Sequence, residues 1–281
     1  MSLRIAAIAV MAALAGCAGT GGDPPAAVER LYVISCGENH VKDLARWAAA
    51  DAGKSIQFKN HCYLIRHARG WMLWDTGNSD AFAALPNGNS VFGGLLVQYM
   101  RKPLPDSLKE IGVEPADIQH LAMSHLHGDH SGNANYFTAA TLYMQGPEYE
   151  AAFGPEPQKF GFAAANYAKL RGSKAVKLSG DHDVFGDGAV VIKSAPGHTI
   201  GHQVLLVRLA QTGPVVLSGD VVHYAANWSA KRVPPLNFNA DQSAVSMRMV
   251  EQLLAQTGAK LWINHDPEQS NALPKAPAYV Q

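Results

Sequence analysis

The sequence lacks several features that would place the protein in particular classes. It has 23 basic and 23 acidic residues, so its formal net charge is zero. A neutral chain lacks the electrostatic surface that binds nucleic acid or another polyanion. The 281 residues contain no internal repeat and no low-complexity block, and 47% of them are hydrophobic. We therefore expect a single globular catalytic domain with one large core.

Apolar runs are short, and the clearest one lies at the N-terminus. Residues 5–14 follow one basic residue, Arg4, and end in Leu14-Ala15-Gly16-Cys17. The run is too short to span a bilayer. Its order of positive charge, apolar stretch and small residues is typical of a secretory signal. Leu-Ala-Gly-Cys resembles the bacterial lipobox, which implies a signal peptide over residues 1–17 and lipidation at Cys17. A plain secretory signal cleaved near Ala18 is the alternative.

Residues 18–29 include Gly-Thr-Gly-Gly-Asp-Pro-Pro and are predicted to form a flexible tether, so the domain occupies residues 30–281. The anchor implies an enzyme outside the cytoplasm, on the periplasmic side of a bacterial membrane; a soluble secreted or periplasmic protein is the alternative. Cysteine is scarce, with three in the chain. Cys36 and Cys62 can pair in an oxidising compartment, or can remain buried free thiols.

The densest group of chemically capable side chains lies in residues 124–132, Ser-His-Leu-His-Gly-Asp-His-Ser-Gly. Imidazole and carboxylate are the ligand types that hold zinc. His-x-His followed by Asp-His also has no packing rationale. His120, inside the preceding strand, is interpreted as a core or partly exposed residue rather than a ligand. The candidate metal ligands of this stretch are His125, His127, Asp129 and His130.

Three further candidate ligands follow later strands. His198 comes after Ala-Pro-Gly, Asp220 after Ser-Gly, and His265 directly after an apolar strand. A side chain just beyond a strand can face a site at the sheet edge. Asp220 alone would equally suit a turn or a helix cap. Together these make seven ligands, enough for two metal ions about 3.5–4 Å apart.

Hydrophobic periodicity and turn residues predict the remaining elements. Residues 91–100 are interpreted as a buried helix or as the wall of a groove for a hydrophobic substrate. Aromatic residues of segment 147–170 either cap the mouth of a site or seat the segment on the core. Strands are predicted at residues 31–35, 61–66, 71–74, 118–123, 140–144, 174–178, 189–194, 203–209, 215–217 and 260–264. Helices are predicted at residues 41–53, 104–111, 132–137, 147–170, and after a cap at Asp241 with Val245, Met249, Leu253 and Leu254 on the apolar face.

These motifs resemble the metallo-β-lactamase superfamily over about residues 31–269. Asp75-Thr76-Gly77, residues 124–132 and 196–202, Ser218-Gly219-Asp220 and Asn264-His265-Asp266 are similar to its N-acyl-homoserine lactonase branch. The resemblance implies an α/β (α+β) fold, a four-layer αββα sandwich with a dinuclear metal site at the sheet edge. It further implies that one zinc ion is held by His125, His127 and His198, the other by Asp129, His130 and His265, and that Asp220 bridges them. His127 stands where di-iron relatives carry glutamate, which favours two zinc ions, with other divalent metals as alternatives.

The same resemblance implies opening of a lactone ring by hydroxide bridging the two metals, with Asp129 relaying a proton to the leaving alkoxide. The branch has a tyrosine three residues after the bridging aspartate, where this chain has His223, followed by Tyr224. Either is predicted to donate a hydrogen bond to the substrate. His223 also resembles organophosphate-hydrolysing relatives, so a promiscuous esterase or phosphotriesterase is the alternative, and a non-catalytic metal binder is a third. The expected partner is a small ester or lactone with an apolar tail, and a homodimer is left open.

Overall fold

The computed structural model describes residues 26–281, so the expected signal peptide, Cys17 and residues 18–25 of the tether lie outside the described residues. The last residues of the predicted tether, 26–29, already contact the folded domain. Val28 is buried, its N–H donates to the Arg208 carbonyl, and the Glu29 N–H donates to the Arg66 carbonyl. These contacts add residues 26–29 to the folded domain, because an apolar side chain at position 28 covers the edge of the core.

The first of two sheets has eight strands in the order β4-β5-β1-β2-β3-β6-β7-β8. Its strands are β1 (Arg30–Val41), β2 (Ile56–His67), β3 (Gly70–Trp74), β4 (Asn89–Val91), β5 (Leu96–Tyr99), β6 (Ile118–Ala122), β7 (Thr141–Gln145) and β8 (Ala175–Leu178). Strands β3, β6, β7 and β8 run parallel. Parallel strands end at one edge of a sheet, so the segments after β3 and β6 meet there.

The second sheet has five strands in the order β13-β12-β11-β10-β9. They are β9 (His182–Asp183), β10 (Val190–Ser194), β11 (Gln203–Leu209), β12 (Gly213–Leu217) and β13 (Lys260–Trp262). The helices are α1 (Leu104–Ile111), α2 (Gly128–Ser131), α3 (Gly146–Phe153), α4 (Ala225–Ser229), α5 (Ala240–Thr257) and α6 (Pro267–Ala272). Within residues 26–281, none of these helices combines the length and apolar character needed to cross a membrane.

These elements form four layers, and an apolar cluster lies between each pair of neighbouring layers. The central cluster joins the facing sides of the two sheets, with Tyr63 and Trp74 from one and Val207 from the other. A second cluster packs α5 on the outer face of the smaller sheet, and a third packs α1 and α3 on the outer face of the larger one. The predicted αββα sandwich is thereby confirmed. Cys36 and Cys62 form a disulfide between β1 and β2, with their Cα atoms 5.7 Å apart.

Three predicted helices are wrong in whole or part. Residues 41–53 form two 3-10 turns, because the Asp43 carboxylate accepts the N–H groups of Ala45 and Gly53 and closes a loop. Segment 147–170 is an α-helix only as far as Phe153, and segment 132–137 contains a single 3-10 turn. Residues 91–100 form the end of β4, a turn and β5 instead of a helix. The aromatic residues of segment 147–170 pack on the core, as one of the two alternatives expected.

Helix α5 differs from its prediction at its N-terminal end. Asn239, rather than Asp241, caps it by accepting the N–H of Gln242, and Val245 is 56% exposed. Its buried face begins with Ser243. At this point the helix lies directly against Gly197, and any side chain at position 197 would clash with the backbone of Ser243.

Candidate metal centre and active site

The seven candidate ligands converge at the edge where the two sheets meet. The loop after β6 and helix α2 supply four of them, and the segments after β10, β12 and β13 supply one each. Their ligand atoms fall into overlapping groups, each within 4.8 Å. These groups are His125, His127 and His198; Asp129, His130 and His265; and Asp220 with His125 and His130 or with His198 and His223.

In the first trio, three imidazole nitrogen atoms point at a common centre. His198 Nε2 lies 3.0 Å from His127 Nδ1 and 3.2 Å from His125 Nε2. Zinc with Zn–N bonds of about 2.0–2.1 Å in tetrahedral geometry separates its ligand atoms by roughly 3.3 Å. The spacing and the imidazole nitrogen donors therefore fit a divalent metal ion.

The second trio has similar spacing and a carboxylate. His130 Nε2 lies 3.2 Å from His265 Nε2, and Asp129 Oδ2 lies 3.8 Å from His265 Nε2. Asp220 stands between the two trios. Its Oδ2 is 3.2 Å from His198 Nε2, and its Oδ1 is 3.0 Å from His265 Nε2. This buried Oδ1 has no hydrogen-bond partner among the described residues, as expected of an atom that serves a metal ion.

Oxygen acceptors behind the cluster fix which nitrogen each histidine presents. The Nδ1–H of His130 donates to Asp75 Oδ2 at 3.0 Å, and that of His265 donates to the Lys59 carbonyl at 2.9 Å. His198 Nδ1–H donates to the side-chain oxygen of Asn237 at 3.0 Å. With its Nδ1–H engaged in this way, each of the three rings turns its Nε2 toward the cluster, where that atom could bind a metal ion.

Charge in the cluster is set by burial and by neighbouring groups. Burial lowers the pKa of His127 to about 3, so its imidazole is neutral at physiological pH. Burial opposes ionisation of Asp220, but His265, His130 and other nearby histidines outweigh it and hold the pKa of this carboxyl well below its usual range. Neutral imidazoles and an ionised carboxylate are the ligand forms that bind metal.

His202 and Gly219 place the backbone of Asp220. His202 Nε2 accepts the Asp220 N–H at 2.8 Å, and its Nδ1–H donates to the Ala195 carbonyl. Gly219 has a φ of +47°, and a Cβ atom there would lie 2.6 Å from His202 Nε2. Only glycine permits this close approach. His202 thus supports Asp220 through its backbone, whereas His120 hydrogen-bonds Tyr143 away from the cluster.

The cluster forms the floor of a cavity of about 530 Å³. The polar side of its lining includes Asp129, Asp220 and His223. The rest of the lining is largely apolar and comes partly from segment 91–100, which therefore lines a groove as one alternative expected. The apolar lining residues are Trp47, Phe58, Val91, Phe92, Leu96 and Leu236.

His223 and Tyr224 point in different directions. His223 lines the cavity with its Nε2 3.2 Å from Asp220 Oδ2, and its buried Nδ1 has no partner among the described residues. The Tyr224 hydroxyl donates to Asp51 Oδ2 at 2.8 Å, and its ring packs in a cluster with Trp47 and Phe58. The expected hydrogen bond to substrate therefore suits His223 and not Tyr224, whose hydroxyl is already engaged.

Three residues that sequence reasoning did not single out support the ligands. Asp75 orients His130, Asn39 contacts Asp129, and buried Glu148 holds two ligand-bearing loops together. Burial raises the pKa of Glu148 to about 7. Only Asp75 had a sequence signal, because it opens the quoted Asp-Thr-Gly motif.

Comparisons with known proteins agree with this geometry. The chain is 33% identical over 267 residues to N-acyl homoserine lactonase AttM of Rhizobium johnstonii, covering 89% of this chain and 98% of that protein. It is 29% identical over 259 residues to the lactonase AiiA of Bacillus thuringiensis subsp. kurstaki, covering 90% and 99%. A solved N-acyl homoserine lactone hydrolase, with N-hexanoyl-L-homoserine at its catalytic metal center, superimposes with a TM-score of 0.80, 28% identity and coverage of 91% and 100%.

A family model described as the metallo-beta-lactamase superfamily matches residues 57–257, which include every candidate ligand except His265. Together with the αββα architecture, this match places the chain: it belongs to the metallo-beta-lactamase superfamily.

Proposed function

We propose that this protein is a dinuclear zinc hydrolase that opens the lactone ring of N-acyl homoserine lactones. The observation that carries the proposal is the cavity itself, whose lining combines candidate metal ligands with a group of apolar side chains. A small polar ring beside the metal ligands and an acyl tail against the apolar side chains match this lining. The lactonases AttM and AiiA among the similar proteins support the same substrate class.

In this proposal His125, His127 and His198 hold one ion, Asp129, His130 and His265 hold the other, and Asp220 lies between them. When bound, two zinc ions supply a nucleophile near neutral pH and polarise the substrate carbonyl. Asp129 is ionised because His130 and His265 outweigh the effect of its burial on its pKa. Its carboxylate faces the cavity, where it can take the proton released by water and deliver it to the leaving alkoxide oxygen. His223 contacts the substrate beside Asp220.

Hydrolysis of aryl esters or phosphotriesters is the second candidate, and His223 favours it. A histidine occupies the position where the lactonase branch carries tyrosine, and it lies within the cavity. The same candidate metal ligands would also suit hydrolysis at a tetrahedral phosphorus centre, because this reaction requires no change in the ligand set.

The test is to measure kcat/KM of the zinc-loaded full chain on a long-chain N-acyl homoserine lactone, paraoxon and an aryl ester. We expect the lactone to be turned over far faster than the other two. Asp220→Asn should abolish all three activities, which excludes a contaminating hydrolase. Faster paraoxon or aryl ester turnover would overturn the lactonase proposal, and tight zinc binding with no turnover would indicate a metal binder.

The proposal extends to location. Leu14-Ala15-Gly16-Cys17 supports lipidation at Cys17 and attachment outside the cytoplasm. The Cys36–Cys62 disulfide supports an oxidising compartment, where such bonds persist. Labelling cells with a palmitate analogue should mark the wild-type protein and leave Cys17→Ala unmarked; equal labelling of the two would exclude the anchor.

A further inference from the structure

Asn39 is an asparagine buried at the edge of the metal cluster. It is 3% exposed and lines the cavity from β1. A bulge between Ser35 and Glu38 adds one residue to β1, after which Asn39 pairs with Phe58 of β2. Both side chains line the cavity. A buried amide beside a metal cluster needs partners for its polar atoms.

One of these partners is a candidate ligand. Asn39 Nδ2 donates to Asp129 Oδ2 at 2.7 Å. The same oxygen atom is the one that lies 3.8 Å from His265 Nε2 and 4.0 Å from His130 Nε2. The hydrogen bond is therefore made to the carboxylate oxygen that faces His130 and His265, the other two members of the second trio. A carboxylate oxygen has two lone pairs, so it can accept this bond and bind a metal at once.

The orientation of the Asn39 amide is set by two further asparagines. Asn39 Oδ1 accepts from Asn78 Nδ2 at 3.1 Å, and Asn78 Oδ1 accepts from Asn60 Nδ2 at 3.2 Å. Because its oxygen is engaged by a donor, Asn39 must turn its NH2 group toward Asp129. Gly37 makes room for this relay, since a Cβ atom there would lie 2.5 Å from Asn78 Nδ2.

We infer that Asn39 is a positioning residue for the second metal ion, acting through Asp129. This inference rests on the ligand set of the proposed function. Asn39 holds the Asp129 carboxylate in one rotamer and directs Oδ2 toward His130 and His265. Loss of such an outer partner typically weakens metal binding about 10- to 100-fold.

The experiment is a zinc titration of the full chain against a competing chelator, with retained zinc counted by elemental analysis. Wild type should bind two ions tightly. Asn39→Leu, which keeps the branched shape of the side chain but cannot donate, should keep one ion and bind the other about 10- to 100-fold more weakly. The weakened equivalent should be the one that Asp129→Asn loses. Excess zinc should restore the kcat of Asn39→Leu, because the residue acts through metal occupancy.

Asn135→Leu is the matched control, because Asn135 also makes two side-chain hydrogen bonds, to Ala165 and Lys169, with no candidate ligand involved. It should bind both ions as wild type does. If Asn39→Leu does not fold, the smaller Asn39→Ala, which also lacks a donor, takes its place in the titration. Two unchanged affinities in the folded variant would overturn the inference. If Asn39→Leu selectively loses one ion and the wild-type protein hydrolyses no lactone, the inference about Asn39 stands and the lactonase proposal is rejected.

Discussion

The carboxylate of Glu148 accepts the backbone N–H of Leu126 at 3.0 Å, between two ligands of the first trio. Its second oxygen accepts the N–H of Gly201 at 2.8 Å, three residues beyond the third ligand. One side chain thus ties together the two loops that supply this trio. Glu148→Ala leaves two buried N–H groups unpaired, and we expect it to lower the free energy of unfolding by about 1–3 kcal/mol for each. Zinc binding should weaken with it.

Denaturant unfolding and zinc titration check this prediction, with Glu150→Ala as the control. Glu150 lies on the same helix but is exposed, where it pairs with Lys177. An exposed ion pair contributes about 0–1 kcal/mol, so this variant should remain close to wild type. Equal losses in the two variants would contradict the role given to Glu148.

His223→Phe tests the contact with substrate. The change keeps a ring beside Asp220 but removes its hydrogen-bond donor, so lactone kcat/KM should fall about 10- to 100-fold, the effect of one lost bond to a charged group. His223→Tyr should recover lactone turnover and lower the ratio of paraoxon to lactone turnover. Steady-state kinetics at saturating zinc, with zinc content verified, measures both. If His223→Phe has the lactone kcat/KM of wild type, His223 makes no functional contact with the substrate.

Tyr224→Phe should lower the stability of the domain and leave lactone turnover nearly unchanged. The lost hydroxyl leaves Asp51 with Arg232 and Lys54 as partners, so the free energy of unfolding should fall by about 1 kcal/mol. Lactone kcat/KM should stay within about twofold of wild type, because the hydroxyl faces Asp51 and not the cavity. A large loss of kcat with unchanged stability would restore Tyr224 as a substrate contact.

Leu96→Trp tests the apolar wall of the cavity. The larger ring fills space beside Phe58 and Val91, so kcat/KM for a dodecanoyl lactone should fall about tenfold while that for a butanoyl lactone changes little. Leu85→Trp provides the control, since Leu85 is an exposed residue outside the cavity lining. Equal losses for both chain lengths would show that the tail lies elsewhere.

His61 should make the domain sensitive to acid. Burial lowers its pKa to about 3, and its ring is held neutral between the Asn264 carbonyl and the Ser270 hydroxyl. The folded pKa lies below the unfolded value, so the stabilisation is complete above about pH 6.5 and is lost as pH falls toward 3, by about 1.4 kcal/mol per unit. Denaturant unfolding in chelator should show a shallower pH slope for His61→Gln. Identical slopes would contradict the prediction.

The convergence of the candidate ligands was predictable because their sequence signals are local. His198, Asp220 and His265 each follow an apolar strand after a short turn, and strand ends of a layered fold meet at one edge. The choice between His223 and Tyr224 was not predictable. The backbone at Tyr224 is extended, so consecutive side chains point to opposite sides, and which side faces the cavity depends on packing against Asp51.

Contacts across long sequence separations left no signal at all. Asn39 and Asp129 are 90 residues apart, and Glu148 meets Gly201 across 53, so neither residue stood out from its neighbours. The predicted helix over residues 41–53 failed for a related reason. Its composition favours a helix, but Trp47 and Ala48 are buried and the Asp43 loop closure decides the backbone.

Strand β1 separates the point where the chain enters the domain from the metal cluster. Arg30 begins the strand and Asn39 lies near its other end, a distance of about 30 Å at 3.3 Å per residue. Under the proposed lipidation of Cys17, the anchored segment would lead into the domain at the end of β1 that is remote from the cavity.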